Sequence, residues 1–497
     1  MKTNSLYLFL LLLQLLMFTE LCSQPLTWDY NYSYTGNDDG YFIKVLQTEN
    51  SKLYLAGYEE YGWCQYSPGF MKIDTNGNKL WSYTYNFPDS YQLITHTLAK
   101  LSENSYYSFC FNPLLPVPIN NKLNNKQEEI TNDCVLLKLN NDGDTIFSKH
   151  FDSIGWVNDL IVDNGKLLAV GSTNYHEEIN DSYFTKTTIM ALDTNGTFLW
   201  KKEFLTDINS RANSIIKNMQ GKYLITGTTT EFFDLFGYIE SPDKMFLLEI
   251  DTLGNLQSEY FSDIEYSEGK KIIICTDGNH AIIGDGLNPT ENSIDIILWK
   301  FDTTNNLFQT TFSGLPRTDE AYSIKQTHDG GFIICGYIIP LSSPNWGPAF
   351  FYSKTDNGGI EEWHINSEEG RNCAYDVLIN NNSGYYFAGF GSSARLVKTD
   401  LFGNGLITSI DDDLNFYKGN FFEVFPNPGK NNIIIKNTKT DDHFTFSLFD
   451  LFGNKIINTD VNSGSLKVNT TSIPEGLYFY QISSDNGNNQ SGKWIKE

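Results

Sequence analysis

The stretch "KIDTNGNKLWSYTY" (Lys72–Tyr85) returns as "ALDTNGTFLWKKEF" (Ala191–Phe204), more than a hundred residues further along the chain. Each copy is an apolar run, a polar turn built on Asp and Gly, and a second run with Trp and alternating aromatics. That is the pattern of two antiparallel strands joined tightly, with Asp capping the turn and Gly supplying the positive φ of the return. Seven versions of the turn phrase align: "MKIDTNG" to Gly77, "LKLNNDG" to Gly143, "MALDTNG" to Gly196, "LEIDTLG" to Gly254, "WKFDTTN" to Asn305, "YSKTDNG" to Gly358 and "VKTDLFG" to Gly403. Before each lies a short apolar strand, usually closed by glycine: "LYLAG" to Gly57, "YYSFC" to Cys110, "LLAVG" to Gly171, "YLITG" to Gly227, "AIIG" to Gly284, "FIICG" to Gly336 and "YYFAG" to Gly389. From Gly57 to Gly389 is 332 residues over six intervals, a period of about 55. A strand-rich repeat of that length marks a propeller or a solenoid.

Four short strands can be read in one unit. In the sixth they are Ala321–Thr327, Gly331–Gly336, Ala349–Thr355 and Ile360–Ile365, with "HDG" (His328–Gly330) joining the first pair and "DNGG" (Asp356–Gly359) the second. Four antiparallel strands make a blade and seven blades a ring, with eight blades or an open arc as alternatives. After Gly403 the chain offers only "NGLITSIDDD", a poor fourth strand, whereas "LTWDYNYSYTG" (Leu26–Gly36) has the aromatic pattern of one and no turn phrase before it. The N-terminal strand is therefore expected to complete the last blade, removing the exposed edges of an open array. The expected fold is all-β: a seven-bladed β-propeller closed by its N-terminal strand, followed by a small Ig-like β-sandwich. The repeat, over Leu26–Leu406, resembles the degenerate propeller repeats of exported proteins of the Bacteroidetes. The resemblance implies a fold and no particular function, because the repeated phrases are strand and turn chemistry.

The repeats stop near Gly405. An acidic, polar stretch (Ile407–Gly419) reads as a linker spanning 407–420, and residues 421–497 as a compact β unit of about seven strands with Pro and Gly between them. Here Pro426, Asn427 and Pro428 follow an aromatic strand, "LFDLFGNKI" carries Gly453, "IPEGLYFYQI" carries Gly476 and Tyr478, and Lys493 with Trp494 sits near the end. In this order the motifs closely resemble the type A C-terminal sorting domain of the type IX secretion system. Trp494 stands where many members have a smaller β-branched residue. The resemblance implies export by the Sec machinery, passage through the type IX translocon, removal of the unit by a sortase-like peptidase, and release or attachment to surface lipopolysaccharide. The alternative is an ordinary Ig-like adhesive module.

The chain's start agrees with export. Lys2 precedes the apolar run Leu6–Phe18, whose thirteen residues fall short of the roughly 20 that a membrane span needs, so residues 1–23 read as a signal peptide and the propeller as 24–406. Leu21, where a lipoprotein signal wants a small residue, argues against a lipid on Cys22. No other segment is apolar enough to span, so no transmembrane segment is expected in the mature chain.

Across 497 residues the formal charge is −25 and the only arginines are Arg211, Arg317, Arg371 and Arg395, which excludes a basic stripe for nucleic acid. Cys110, Cys275 and Cys335 lie in apolar runs and read as core thiols; a Cys64–Cys134 disulfide stays open. His96, His150, His176, His280, His328, His364 and His443 show no ligand spacing, and HExxH, CxxC, GxSxG and a phosphate-cradling loop are all missing, so no metal, cofactor or catalytic residue is assigned. The "DTNG" turns alternate Asp and Asn oxygens as calcium loops do but lack the further carboxylates, so they read as hairpin turns. An enzyme requires carboxylates of different blades to meet in the channel.

Insertions in a repeat protein gather on one face, often the binding face. Here they are the connections between second and third strands: Tyr58–Gly69, Asn112–Asn132, Ser172–Lys186, Thr228–Asp243 and Tyr337–Pro348. They are rich in aromatics, and Tyr58, Tyr61, Trp63, Tyr66, Tyr175, Phe232, Tyr238 and Trp346 are the candidate ligand-binding residues. Such rings suit sugar faces or a surface-protein ligand; the alternative is that they pack against their own loops. The expected role is a secreted or surface binding module for a glycan or protein, with a glycan-degrading enzyme or a structural adhesion component as alternatives.

Overall fold

The structure is a computed structural model and describes residues 27–34, 40–48, 51–60, 65–85, 93–112, 128–130, 134–151, 155–177, 182–206, 208–230, 243–313, 318–339, 347–367, 372–380, 383–405, 422–426, 428–437, 444–450, 455–461, 465–484 and 489–496. The regular structure among them is all β, in two compact units, Met1–Thr408 and Ser409–Glu497. No helix among these residues is long and apolar enough to cross a membrane. The expected signal peptide and linker lie outside the described residues.

The first unit contains seven antiparallel sheets among its described residues. The sixth blade is Glu320–Gln326, Phe332–Ile338, Ala349–Thr355 and Glu361–Asn366, within two residues of the positions given by turn chemistry. The last is Cys373–Ile379, Tyr385–Phe390 and Ala394–Thr399, completed by Trp28–Tyr32 from the other end of the chain. Trp28 stands opposite Lys398 and Tyr32 opposite Ala394. Arg395 clamps this strand in place, its Nε donating to Asp29 Oδ1 at 2.9 Å and its Nη2 to the other oxygen.

Seven apolar clusters fill the gaps, each shared by two consecutive blades, and the cluster of Trp28, Phe42, Leu55, Tyr386 and Leu396 joins the last blade to the first. The array is a closed propeller because no blade can cover both faces of its own sheet.

The repeated turn phrase has a second use beyond reversing the chain. Asp74 Oδ1 accepts the N–H of Asn76 and Asn78, both at 2.9 Å, and the same pair of bonds recurs at Asn140, Asp193, Asp251, Asp302 and Asp400. The left-handed position is filled by Gly77, Gly143, Gly196, Gly254, Asn305, Gly359 and Gly403; in the sixth unit it falls on Gly359, one residue beyond the Gly358 expected. Two residues before the capping Asp, a lysine donates to the carbonyl just after the capping residue of the next blade: Lys72 to Asn141 (3.0 Å), Lys138 to Thr194 (3.3 Å), Lys300 to Asn357 (2.8 Å) and Lys398 to Thr75 (3.0 Å). The last of these crosses the seam of the ring. Four of the seven copies thus also fasten the next blade.

The glycine closing the second strand has an equally local cause. In six blades the innermost strand carries a one-residue bulge, and the glycine faces the residue before it: Gly57 opposite Phe42, Gly171 opposite Val157, Gly227 opposite Ala212, Gly284 opposite Gly269, Gly336 opposite Ala321 and Gly389 opposite Ala374. A Cβ on Gly336 would lie 1.9 Å from the Glu320 carbonyl oxygen. Where Cys110 replaces the glycine, the innermost strand is split instead, into Ile94–Thr95 and Ala99–Ser102. Gly336→Ala is therefore expected to cost about 3 kcal/mol by forcing backbone apart. Gly165→Asn, at a left-handed position with nothing within 4 Å, should cost little. Equal melting temperatures for the two variants would refute the account.

The second unit pairs a three-stranded sheet, Phe422–Phe425, Asn432–Asn437 and Ser465–Asn469, with a four-stranded one, Lys455–Val461, Phe444–Phe449, Gly476–Ser484 and Asn489–Lys496. Ile433, Ile435, Phe446, Leu448, Ile482 and Trp494 form its core.

Candidate ligand site at the central channel

The innermost strands Gly40–Gln47, Trp156–Asp163, Asn209–Lys217, Glu268–Ile274, Glu320–Gln326 and Cys373–Ile379, with Leu98 from the split strand, wall a channel of about 830 Å³. Each strand enters from the face that carries the second-to-third-strand connections, so its first residues ring the channel axis at that face, its mouth, while the cavity itself is lined from Lys44, Asp159, Ile215, Lys271, Lys325 and Asp376 onward.

Tyr58, Tyr66 and Tyr175 lie on that face, but in strands rather than in the loops expected. Tyr58 ends Leu53–Glu60 and Tyr66 begins Tyr66–Ile73, paired up to Glu60 opposite Tyr66. The expected loop Ser172–Lys186 is mostly hairpin, since Lys166–Glu177 and Ser182–Asp193 stay paired as far as Glu177 opposite Ser182. Apolar β-branched runs interrupted by polar residues hid these extensions. Tyr175 stacks on Phe184 at 5.3 Å under the Lys186 ammonium, at 4.5 Å, and donates to Glu203. Tyr61, Trp63, Phe232, Tyr238 and Trp346 lie outside the described residues.

The mouth brings together side chains that the repeat phrases did not single out. On one side Tyr41 stacks on Tyr58 (4.5 Å) and on Phe390 (4.2 Å), and Tyr58 meets Tyr66 edge-on at 5.7 Å. Tyr322 continues this wall, 5.3 Å from Tyr375 and 6.2 Å from Tyr337. All are half-buried. On the other side Glu268 takes Arg211 Nη2 at 2.8 Å and Lys270 Nζ at 2.7 Å, and the same ammonium lies 3.6 Å from Asp285 and 3.7 Å from Glu320. Tyr337 and Tyr322 donate to Glu320 at 2.7 and 3.0 Å. Arg211 Nε and Asp285 Oδ1 are buried without a hydrogen bond among the described residues.

Three carboxylates around one ammonium cannot all ionise freely. Burial pushes Glu268 up, yet Arg211 and Lys270 more than offset it and hold it at about 2. Asp285 is pushed up to about 8 by burial; Lys270 opposes the rise, and Glu268 and Glu320 add to it. The native state thus holds a proton on Asp285 that the unfolded chain releases near pH 4, so this group's contribution weakens as pH rises from about 4 to about 8, by at most about 1.4 kcal/mol per unit. Asp285→Asn should flatten that part of the stability–pH curve; an unchanged slope in denaturant titrations would refute the assignment.

Below the mouth, the residue following each bulge forms a polar collar: Lys44, Asp159, Ser214, Lys271, Ser323 and Asp376. A polar residue at the same place in six innermost strands was the available signal, obscured because it falls one residue out of strand alternation at the bulge and because other polar residues precede it. Cys110, Cys275 and Cys335 are buried thiols whose pKa values burial raises, as their apolar runs imply. Cys134 opens a strand and is fully buried; Cys64 lies outside the described residues.

In the second unit Trp494 is buried, lies tilted against Tyr478 at 6.1 Å and donates to the Pro426 carbonyl at 2.8 Å, while Tyr478 donates to the Pro474 carbonyl at 2.8 Å. The Pro-rich corner and the chain's last strand are thus tied together. Pro428 follows in the same connection, Gly476 begins its strand and Lys493 is exposed; Asn427 and Gly453 lie outside the described residues.

Residues 423–497 match the family model described as secretion system C-terminal sorting domain. An endo-acting ulvan lyase of Formosa agariphila is 24% identical over 217 residues, 40% of this chain and 36% of that protein, so the chain spans about a third of that relative's length. Among solved structures, the Neurospora crassa Pan2 WD40 domain aligns with a TM-score of 0.46 at 8% identity, covering 77% of this chain and 99% of that one. An ulvan lyase structure of a polysaccharide lyase family aligns with a TM-score of 0.44 at 10% identity, covering 75% and 96%. The chain is a β-propeller protein carrying a type IX secretion sorting domain at its C-terminal end, destined for the cell surface or the exterior.

Proposed function

We propose that the propeller is a binding module whose ligand is a glycan held at the channel mouth. The observation that carries this reading is the mouth itself, where aromatic rings of the first, sixth and seventh blades face an acidic and basic cluster from the fourth, fifth and sixth. Rings supply apolar faces for sugar C–H groups, and fixed charges and phenols supply hydrogen bonds to hydroxyls. Of the aromatic residues expected from sequence, Tyr58 and Tyr66 belong to this rim, with Tyr41, Phe390, Tyr322, Tyr337 and Tyr375 added.

In this reading the chain leaves the cytoplasm by the Sec machinery under residues 1–23, crosses the outer membrane through the type IX translocon, and loses 421–497 to a sortase-like peptidase at the linker 407–420. The remaining 24–406 is the working module. Screening the purified full chain on a glycan array tests the binding role. Tyr41→Ala combined with Tyr58→Ala should weaken any captured glycan by about tenfold or more, the scale of lost ring contacts. Unaltered binding by that variant would move the site away from the mouth.

A second reading has an observation of its own: Asp285, protonated near neutral pH, lies beside Lys270 and close to the ionised Glu268, the pairing of acid and base that glycan cleavage uses. New reducing ends released from an array-positive glycan, and lost in Asp285→Asn, would favour the enzyme.

A further inference from the structure

The collar inside the channel has a charge balance that the fold does not use up. Asp159 reaches into the next blade, accepting the Ser214 hydroxyl at 2.8 Å and the Ile215 N–H at 3.1 Å, and takes Lys271 Nζ at 2.6 Å from the blade beyond. Asp376 behaves alike across the seam, accepting Val45 N–H at 3.1 Å and the Ser323 hydroxyl at 2.8 Å. These bonds satisfy the N–H groups that the bulges release toward the channel.

Lys44 and Lys325 also line this channel, and among the described residues neither makes an ion pair or a hydrogen bond. Lys44 nonetheless acts electrostatically on Asp159, Lys271, Cys335 and His96, which belong to four other blades. Its ammonium therefore projects toward the middle of the ring. Lys325 acts on Lys271 as well. Three ammonium groups and two carboxylates leave one positive charge in excess, while deeper in the channel Lys217 and Asp163 cancel at 2.8 Å. Leu46, Ile161, Ile216, Ile273 and Leu378 wall the space around them, so the charges face one another with less water between them than at the surface. Positive charge gathered at the centre of a chain of net charge −25 is placed there against the field of the whole molecule.

We propose that the collar binds an anionic group, a sulfate or a carboxylate, with Lys44 and Lys325 as its direct donors and Lys271 adding its field. The inference stands apart from the mouth reading: a free inorganic anion would serve the collar even if the mouth bound no glycan. An ammonium is a compact donor that suits either group, and 830 Å³ leaves room for the sugar ring or other body that carries the acid.

The test uses the full chain titrated with sodium sulfate against sodium chloride at equal ionic strength, read by calorimetry and melting temperature, with glucuronate against glucose as a second pair. Wild type should bind sulfate and melt higher in it than in chloride. Glucuronate exceeding glucose would place a sugar acid in the channel, and sulfate acting alone would limit the site to free anions, both within the proposal. Lys44→Met and Lys325→Met should melt no lower than wild type without sulfate, because neither lysine holds a partner, and should bind sulfate about ten- to a hundredfold more weakly. Lys467→Met, exposed in the second unit, should change nothing. An absent sulfate response in wild type, or an undiminished one in Lys44→Met, overturns the proposal. So does a lower melting temperature of Lys44→Met in chloride, which would make the lysine a structural partner.

Discussion

Cells expressing the chain without residues 421–497 are expected to retain all of the propeller behind the outer membrane, with none at the surface or in the medium. The sorting family model matches 423–497, within the second compact unit, whereas every residue of the seven inter-blade clusters lies between Trp28 and Leu401. The truncated propeller should therefore fold and be lost only from its destination. Surface biotinylation and blots of the medium read the outcome, and a cooperative melt of the retained protein shows that misfolding is not the cause. A point variant gives the same result by a different route. Trp494→Ala removes a fully buried ring from a unit of roughly 75 residues, a loss of about 3–5 kcal/mol, as much as a core of that size commonly supplies. It should be retained like the deletion, whereas Lys467→Met should be exported normally. Full surface display of the truncated chain would remove the sorting role from this unit.

The parts of this molecule that were legible beforehand are those where one local cause fixes one local shape. An Asp that caps its own turn and a Gly that takes the left-handed position act within five residues, so Asp74 to Asn78 can be read anywhere it recurs, and the blades follow. The closing strand was legible for a different reason: Trp28 to Tyr32 is a fourth strand without a turn of its own, and the seventh turn lacks a fourth strand. The channel was not legible. Arg211, Glu268, Lys270, Asp285 and Glu320 belong to three blades, and their meeting depends on bulges that rotate the innermost strands, a feature written only as the glycine opposite. In sequence that glycine looks like a plain strand end, whereas its cause is a carbonyl about 2 Å from where its Cβ would be. Likewise the long connections looked like loops, because strand pairing beyond Tyr58 and Ser172 depends on partners that local pattern does not reveal.

Trp28→Ala should open the ring. The indole is 1% exposed, lies 5.3 Å from Tyr30 and 6.0 Å from Tyr386, and donates to the Thr75 carbonyl, so it touches both the last blade and the first turn. Its loss costs about 3–5 kcal/mol by cavity and transfer terms, a large share of a typical 5–15 kcal/mol stability. Size alone does not distinguish it, because Trp299→Ala empties a comparable buried site between the fourth and fifth blades. The distinction lies in what comes loose. The closing strand is a short segment held by one neighbour strand, by the Arg395–Asp29 pair and by Trp28, so weakening it frees a chain end, whereas blades four and five stay threaded into the ring on both sides. Trp28→Ala should therefore become sensitive to proteolysis within residues 27–34 well below its melting temperature, and amides of Ala394–Thr399 should exchange faster as that strand becomes an edge. Trp299→Ala should melt lower without either sign. Equal protection of residues 27–34 in the two variants would mean that the ring is held shut elsewhere, with the Lys398 to Thr75 bond across the seam as the next device to remove.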